Sequence, residues 1–510
     1  MTRRSVLLST LGALAGTASL QAQNRRAATS AALGKFNVLF IAVDDLKPAL
    51  GCFGDPLAIT PNMDRLAAKG TLFTSAYCQQ AVCSPTRTSL LTGRRPDTTK
   101  VYDLIQHFRG TIPDVVTLPQ HFRNHGYITA SMGKIWHGGL EDGRSNTLPH
   151  WMPNSTGAWG TAENALWQSR REAAVIANKW KAPAAEGPQG TARRATRGPA
   201  WDSPDVDDDS LSDGKVAVTA VKAIETLSKD RFFLMAGFQK PHLPFIAPKR
   251  YFDMHPRAKF ADSTAKFQQV PAGAPSFAMH DSGELRSYAG TPETGAVPSE
   301  MQIDLIRAYY AAASYTDANI GRLMDALERT GVADKTIVIL WGDHGWHLGD
   351  HGLWNKHSNF EQATHVPLMI HVPGQKNAGL KSTALTEYVD IFPSLVELCG
   401  LPASPGVEGT SFAPLIDQPD RVWKSAAFSQ YPRPTPDHGP VMGYSMRTRR
   451  HRLTIWLTRK DGREVDAELF DYDKDPMETR NLVKDPAYAE TVKQLRAQFA
   501  KGWKGAAPSV

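Results

Sequence analysis

Cysteine, proline and arginine stand at fixed spacing in Cys83-Ser84-Pro85-Thr86-Arg87, and the run continues as Thr88-Ser89-Leu90-Leu91-Thr92-Gly93-Arg94. Pro85 suits the first turn of a helix, where its missing N–H costs nothing. Cys83 is therefore expected at a helix N-terminus, where free backbone N–H groups and the helix dipole favour an anion. Arg87, one turn on, can return toward that end as a fixed cation. An isolated Cys before a helix is more often a buried structural residue. The intact run through Arg94 points instead to a reactive one.

A second set of residues is acidic. Asp44-Asp45 follows an apolar run at 36–43, and Gly342-Asp343-His344 follows another at 336–341. Taken alone, an Asp-Asp pair reads as a helix cap or a turn. With Asp343 it makes a hard, oxygen-rich donor set that suits Ca²⁺ or Mg²⁺, and no Cys/His cluster has zinc spacing. Two more apolar runs end in cations and histidines. Residues 127–132 lead into Lys134 and His137, and residues 232–238 lead into Lys240 and His242.

These four runs are short, continuous and β-prone, and helical stretches separate them. The pattern predicts an α/β fold with a large, mostly parallel sheet and helices on both faces. In such sheets ligands bind outside the carboxyl ends of the strands, which is where all four runs deliver their reactive residues. A helix is expected from Thr60-Pro61 to Gly70, with Met63, Leu66 and Ala67 inward. A longer helix falls within residues 302–329, where Tyr309, Tyr310, Tyr315 and Leu323 read as core. Residues 138–212 carry Gly, Pro, Asn, Trp and charge without clean periodicity and end in an acidic cluster at 205–209; they read as a long surface excursion. Residues 256–300 read similarly. Beyond Pro414 the pattern changes to short alternating strands near 426–430, 443–447, 451–457 and 468–472, then a helix at 487–501. This describes a smaller α+β unit with an antiparallel sheet. The expected division is 1–30 leader, 31–414 catalytic domain and 415–510 C-terminal subdomain.

At 510 residues the chain can bury a large core, and 41% hydrophobic with 21% charged residues is the composition of a soluble globular protein. The net charge of +7 is modest, and Arg3, Arg4, Arg25 and Arg26 contribute to it. No basic tract argues for nucleic acid. Arg3 and Arg4 precede an apolar stretch reaching Leu20, with a small-residue cleavage site at Leu20-Gln21-Ala22. This is an export signal of Tat-like or Sec type, so a periplasmic or secreted location is expected. The stretch is too short for a retained membrane span, and no later segment reaches that length. Export permits disulfides, but Cys52, Cys78, Cys83 and Cys399 are too few for a disulfide framework.

The chain resembles the type I sulfatases over nearly its whole mature length, and most closely their iduronate-2-sulfatase branch. The segments that carry the resemblance are Asp44-Asp45-Leu46-Lys47-Pro48, Cys83 to Arg94, Gly133-Lys134-x-x-His137, Lys240-Pro241-His242-Leu243-Pro244-Phe245 and Gly342-Asp343-His344-Gly345-Trp346. Trp354-x-Lys356-His357-Ser358-Asn359-Phe360 and Ser429-Gln430-Tyr431-Pro432-Arg433-Pro434 are characteristic of the branch. The resemblance implies an alkaline-phosphatase-like sulfatase fold. It also implies that a maturation enzyme oxidises Cys83 to formylglycine, whose hydrate is the nucleophile. Asp44, Asp45, Asp343 and the converted Cys83 would hold one Ca²⁺, with His344 beside or on it; many sulfatases have Asn at this last position. Arg87 would hold the hydrate, with Lys134 and His137 nearby. His242 and Lys356 would grip the sulfate and the leaving oxygen. His242 would protonate the departing alcohol, and His137 would act as the base that releases sulfate.

The same branch implies a sulfated oligosaccharide or polysaccharide, most specifically a 2-O-sulfated uronic acid. Lys47, Lys356 and His357 are the candidates to bind its carboxylate, although Lys47 stands where the branch usually has Arg. Trp346 and Trp354 would line the pocket or merely pack. His107, His121, His125 and His280 lie in no motif and read as structural. The alternatives are a phosphodiesterase or phosphonate hydrolase of the same superfamily, or a secreted glycan-binding protein without catalysis.

Overall fold

The apolar run after Phe36 forms β1 (Asn37–Val43), and every one of its residues is buried. A computed structural model describes residues 35–154, 158–176, 197–263 and 269–508 of the chain. The export segment expected at the N-terminus lies outside the described residues. The remaining strands of the first part are β2 (Thr71–Tyr77), β3 (Ile128–Gly133), β4 (Trp201–Asp202), β5 (Phe232–Phe238), β6 (Phe245–Ile246), β7 (Thr336–Gly342), β8 (His365–His371), β9 (Lys381–Ser382) and β10 (Thr386–Glu387). All except β4 and β6 belong to one eight-stranded sheet in the order β10-β2-β8-β7-β1-β5-β3, with β9 also on β2. β7, β1, β5 and β3 are adjacent and parallel. β8 runs antiparallel to both β7 and β2.

Side-chain alternation divides β1 between two cores. Val38, Phe40 and Ala42 face the helices Cys83–Thr92, Leu118–Asn124 and Ile391–Leu398. Leu39, Ile41 and Val43 face Pro61–Lys69, Ser212–Leu227 and Ser299–Arg329. A strand covered on both faces must be apolar at every position, which is why the continuous runs were legible. Met63, Leu66 and Ala67 are the buried residues of Pro61–Lys69, as their spacing predicts. Tyr309, Tyr310, Tyr315 and Leu323 are buried in Ser299–Arg329.

Among the described residues of 138–212, the chain does not form a surface excursion throughout. Their first part runs along the outer edge of β3: Thr147 N–H donates to Thr129 Oγ1 at 2.7 Å, Asn146 Nδ2 donates to Ser131 Oγ at 2.6 Å, and Trp151 pairs with Met132. Asp142 is buried in an ion pair with Arg109. This coverage protects an otherwise open sheet edge. The stretch also holds a helix, Ala162–Ile176, and ends in β4, which pairs with β6 beside the His242 loop.

The C-terminal part forms an antiparallel four-stranded sheet of β11 (Ala427–Thr435), β12 (Gly439–Arg447), β13 (His451–Thr458) and β14 (Glu464–Asp471). One face packs Met446, Leu453 and Leu469 against Leu495 of the helix Ala489–Phe499. The other face packs Val441, Trp456 and Phe470 against Ala278, Leu353 and Phe360 of the first part. β11 also reaches the segment before Cys83, where Gln430 N–H donates to Gln79 O at 2.8 Å and Ser429 Oγ to Cys78 O at 2.6 Å. Among the described residues all four cysteines are free, and no helix is long and apolar enough to cross a membrane.

Candidate active site

The parallel ladder continues one residue past each central strand and so fixes the first polar residue of each loop. Asp44 N–H donates to Phe238 O at 3.0 Å, Asp343 N–H to Val43 O at 3.1 Å and Lys134 N–H to Gly237 O at 2.9 Å. Asp45 then turns into the left-handed region at φ 57°, a conformation in which Asp is enriched among non-glycine residues. Its N–H donates to Asp343 Oδ1 at 2.9 Å and its carbonyl accepts from Tyr309 Oη at 2.7 Å. Gly133 permits the matching turn after β3: its φ is 67°, and a Cβ there would lie 2.1 Å from Gly237 O.

Cys83 opens the helix Cys83–Thr92 at the centre of these loops, as expected from Pro85. Its Sγ lies 3.4 Å from His344 Nε2 and 3.7 Å from Lys134 Nζ. Arg87 lies one turn on and is wholly buried. Its guanidinium does not reach the thiol by a hydrogen bond. It brackets two carboxylates instead, with Nη2 3.0 Å from Asp44 Oδ1 and Nε 2.9 Å from Asp343 Oδ2. Nη1 donates to the Lys134 and Ile135 carbonyls. Lys134 Nζ donates to the second oxygen of Asp44.

Asp44, Asp45 and Asp343 are all fully buried and converge with Cys83, His344 and His242 in two overlapping groups, each with ligand atoms within 4.8 Å of one another. Burial pushes Asp45 up to about 7; Lys356 and His344 oppose that rise, and the Asp44 and Glu284 charges add to it. A divalent cation would relieve that crowding of carboxylates, and oxygen donors fit Ca²⁺ or Mg²⁺. His344 donates from Nδ1 to Gly345 O at 3.1 Å, which turns Nε2 toward the cluster. Its Nε2 lies 3.3 Å from Asp45 Oδ1 and 3.5 Å from Asp343 Oδ1.

On the other side of Asp45 stands Lys356, its Nζ 3.2 and 3.1 Å from the two carboxylate oxygens. The same ammonium lies 2.9 Å from Glu284 and 4.9 Å from the centre of the Trp346 ring. His242 Nε2 is 3.1 Å from Glu284 Oε1, and its Nδ1 is 2.5 Å from Leu243 O. Burial lowers the His242 imidazole, and Lys356 and Lys134 lower it further. The half-buried Lys240 ammonium, brought down to about 8 by desolvation, donates to the carbonyls of His242 and Pro244 and pins that loop. Asp213 accepts from the backbone N–H groups of Gln239 and Lys240 at its base.

The outer candidates take different places. His137 leaves its buried Nδ1 without a hydrogen bond, and burial with the Lys134 charge beside it lowers the imidazole to about 3. Trp346 is 1% exposed and packs against Phe245, so it supports Lys356 from beneath and does not line an open surface. Lys47 points to Asp350, with Nζ 3.8 Å from its carboxylate. His357 is half-buried near Tyr431, at a ring separation of 5.9 Å, and its carbonyl accepts from Arg433. His280, read from sequence as structural, lies beside the site, since its Nε2 is 3.3 Å from Lys356 O. Glu284 and the supporting Tyr309 hydroxyl were not singled out for the site from sequence. Glu284 lies in the aperiodic stretch 256–300, and no spacing marks it.

The chain matches the sulfatase family model over residues 36–401 and the model of the N-sulphoglucosamine sulphohydrolase C-terminal region over residues 349–504. It is 32% identical to iduronate 2-sulfatase of Mus musculus over 537 residues, covering 92% of this chain and 94% of that one. Among solved structures, one in complex with its substrate D-glucosamine-2-N,6-O-disulfate superposes with a TM-score of 0.71 at 22% identity, covering 92% of this chain and 98% of that one. The phosphonate monoester hydrolase of Agrobacterium radiobacter shares the fold with a TM-score of 0.69 at 22% identity, over 91% and 95% of the two chains. A buried carboxylate cluster facing a Cys-x-Pro-x-Arg helix on this sheet, with these relatives, places the chain in the sulfatase family, as a sulfuric ester hydrolase.

Proposed function

We propose that the protein removes sulfate from sulfated carbohydrate, with a 2-O-sulfated uronic acid as substrate, using a formylglycine made from Cys83 and one Ca²⁺. The branch-specific segments around Lys356 and Tyr431 and the 32% identity to an iduronate 2-sulfatase support the substrate. In this reading residues 1–30 direct export, a formylglycine-generating enzyme matures Cys83, residues 31–414 carry the catalysis and residues 415–510 form the smaller unit.

The position of the Cys83 thiol carries the reading. It sits at a helix N-terminus between Lys134 and His344, yet burial and the Asp44 charge push it well above the usual thiol value. A thiol held neutral is a poor nucleophile and a poor ligand. Conversion to formylglycine would supply the hydrated aldehyde that attacks sulfur, and Ca²⁺ on Asp44, Asp45, Asp343 and His344 would draw charge from the sulfate oxygens.

The chain's own residues divide the remaining work. Arg87 fixes Asp44 and Asp343 in register. Lys134 and Lys356 offset the negative charge of the sulfate from two sides. His242 gives a proton to the leaving alcohol, and an anion bound between it and Lys356 would raise its imidazole against the effect of burial. His137 stands beside Lys134 to accept a proton when sulfate is released, and the bound anion would raise its imidazole from the low value that burial and the Lys134 charge impose.

The test is sulfate release from 2-O-, 4-O- and 6-O-sulfated disaccharides, alongside a phosphonate monoester, by enzyme whose Cys83 conversion is confirmed by peptide mass. Release from the 2-O-sulfated uronate alone is expected. Release only from another sulfated position would discard the uronate. Preference for the phosphonate would replace sulfate as the substrate group.

A further inference from the structure

One ammonium in this site serves two carboxylates. Lys356 Nζ lies 3.1 Å from Asp45 and 2.9 Å from Glu284, and it is 3% exposed. Asp45 is also a member of the candidate cation cluster. The same carboxylate cannot give its oxygens fully to a divalent cation and to a lysine, because the two positive charges would repel across it. His242 shows the same bias, with Nε2 3.1 Å from Glu284 and 3.8 Å from Asp45.

Glu284 is held in place to take both groups. It lies on a single helical turn, Gly283–Arg286, that follows Ser282 in the left-handed conformation at φ 60°. Ser282 N–H donates to His280 Nδ1 at 3.0 Å, Ser282 Oγ accepts from Trp354 N–H at 3.0 Å, and His280 Nε2 lies 3.3 Å from Lys356 O. Arg286 donates to Pro292 O at 2.9 Å and Gly295 O at 2.6 Å, which closes the loop behind it. The Glu284 turn and the Lys356 loop are thus tied together at two points. Side-chain exposure rises from 0% at Asp45 through 3% at Lys356 to 16% at Glu284 and 18% at His242. Glu284 therefore lies outward of Asp45 and Lys356, beside His242 and toward the mouth of the site.

We propose that Glu284 is a positioning residue that takes Lys356 off Asp45, so that Asp45 can hold a divalent cation while Lys356 turns to the substrate. This rests on the sulfatase reading of the site. Glu284 differs from a remote negative charge in that it acts through Lys356 and depends on reach. Without Glu284, Lys356 has only Asp45 to pair with and competes with the cation.

The experiment is calorimetric Ca²⁺ titration of the converted full chain and its variants, each checked for a cooperative thermal transition. Glu284→Gln is expected to bind Ca²⁺ about tenfold more weakly than the parent, from the ion-pair competition at Asp45. Glu284→Asp keeps the charge but loses the reach, and is expected to resemble Glu284→Gln. In a Lys356→Gln background the loss caused by Glu284→Gln should vanish. Parent-like affinity in Glu284→Gln or in Glu284→Asp, or an undiminished loss in the Lys356→Gln background, would overturn the proposal. A parent protein that releases sulfate without binding Ca²⁺ would instead remove the metal assignment on which it rests.

Discussion

Arg87 and Asp343 form an ion pair with no solvent access, Nε to Oδ2 at 2.9 Å, and the same guanidinium holds Asp44 at 3.0 Å. The arginine of the Cys-x-Pro-x-Arg run is thus a bracket between the loops after β1 and β7. Lysine cannot span both carboxylates, since it offers a point charge where Arg offers a planar fork. Arg87→Lys should lose sulfate release and lower thermal stability, by about 3–5 kcal/mol if one buried partner is left uncompensated. Thermal unfolding beside sulfate release tests this. An active, parent-stable Arg87→Lys would show that the bracket is dispensable.

The Asp44–Asp45–Asp343 cluster predicts a stabilising divalent cation. Ca²⁺ at a hundred times its dissociation constant should stabilise the fold by about 2.7 kcal/mol. A chelator should reverse the shift, and Asp45→Asn should abolish most of it while leaving the Arg87 bracket intact. Differential scanning calorimetry with and without Ca²⁺ reads the effect. An unchanged transition in the parent protein would argue that these carboxylates are balanced by Lys134, Lys356 and Arg87 alone.

His242 as proton donor makes a prediction about leaving groups. His242→Ala should slow a sugar sulfate by about 10²–10⁴, the range of general acid catalysis, and slow an activated aryl sulfate far less. The aryl oxygen departs without a proton, so it does not need the imidazole. Equal losses on both substrates would assign His242 to binding and not to proton transfer.

The strands were legible because β1, β5 and β7 are buried on both faces and so are apolar at every position. The cluster was legible because its members follow those runs directly. The partners of Arg87 were not, since Asp44 and Asp343 lie 43 and 256 residues away and spacing shows only its place beside Cys83. Glu284 was hidden for a different reason. It sits on one helical turn in a Gly- and Pro-rich stretch, held by contacts to Ser282, His280 and Trp354 that leave no period. Residues 138–154 misled in the same way: they follow the edge of β3 through side-chain contacts from Asn146 and Thr147 and form almost no regular structure of their own.

Glu468 gives the chain a pH dependence away from the active site. Its carboxyl is 2% exposed, accepts one hydrogen bond from Trp456 Nε1 at 2.8 Å, and is pushed from the ordinary 4.5 up to about 8, chiefly by burial. The native state then binds a proton that the unfolded chain has lost, so stability falls as pH rises from about 4.5 to about 8. The slope from this one group is at most about 1.4 kcal/mol per pH unit. Glu468→Gln keeps the shape and stays neutral, so its stability relative to the parent should climb with pH across that window and level off above it. Urea unfolding of both proteins at a series of pH values measures the difference. A constant difference would mean that Glu468 stays charged in the fold, with Arg433 as its counter-ion.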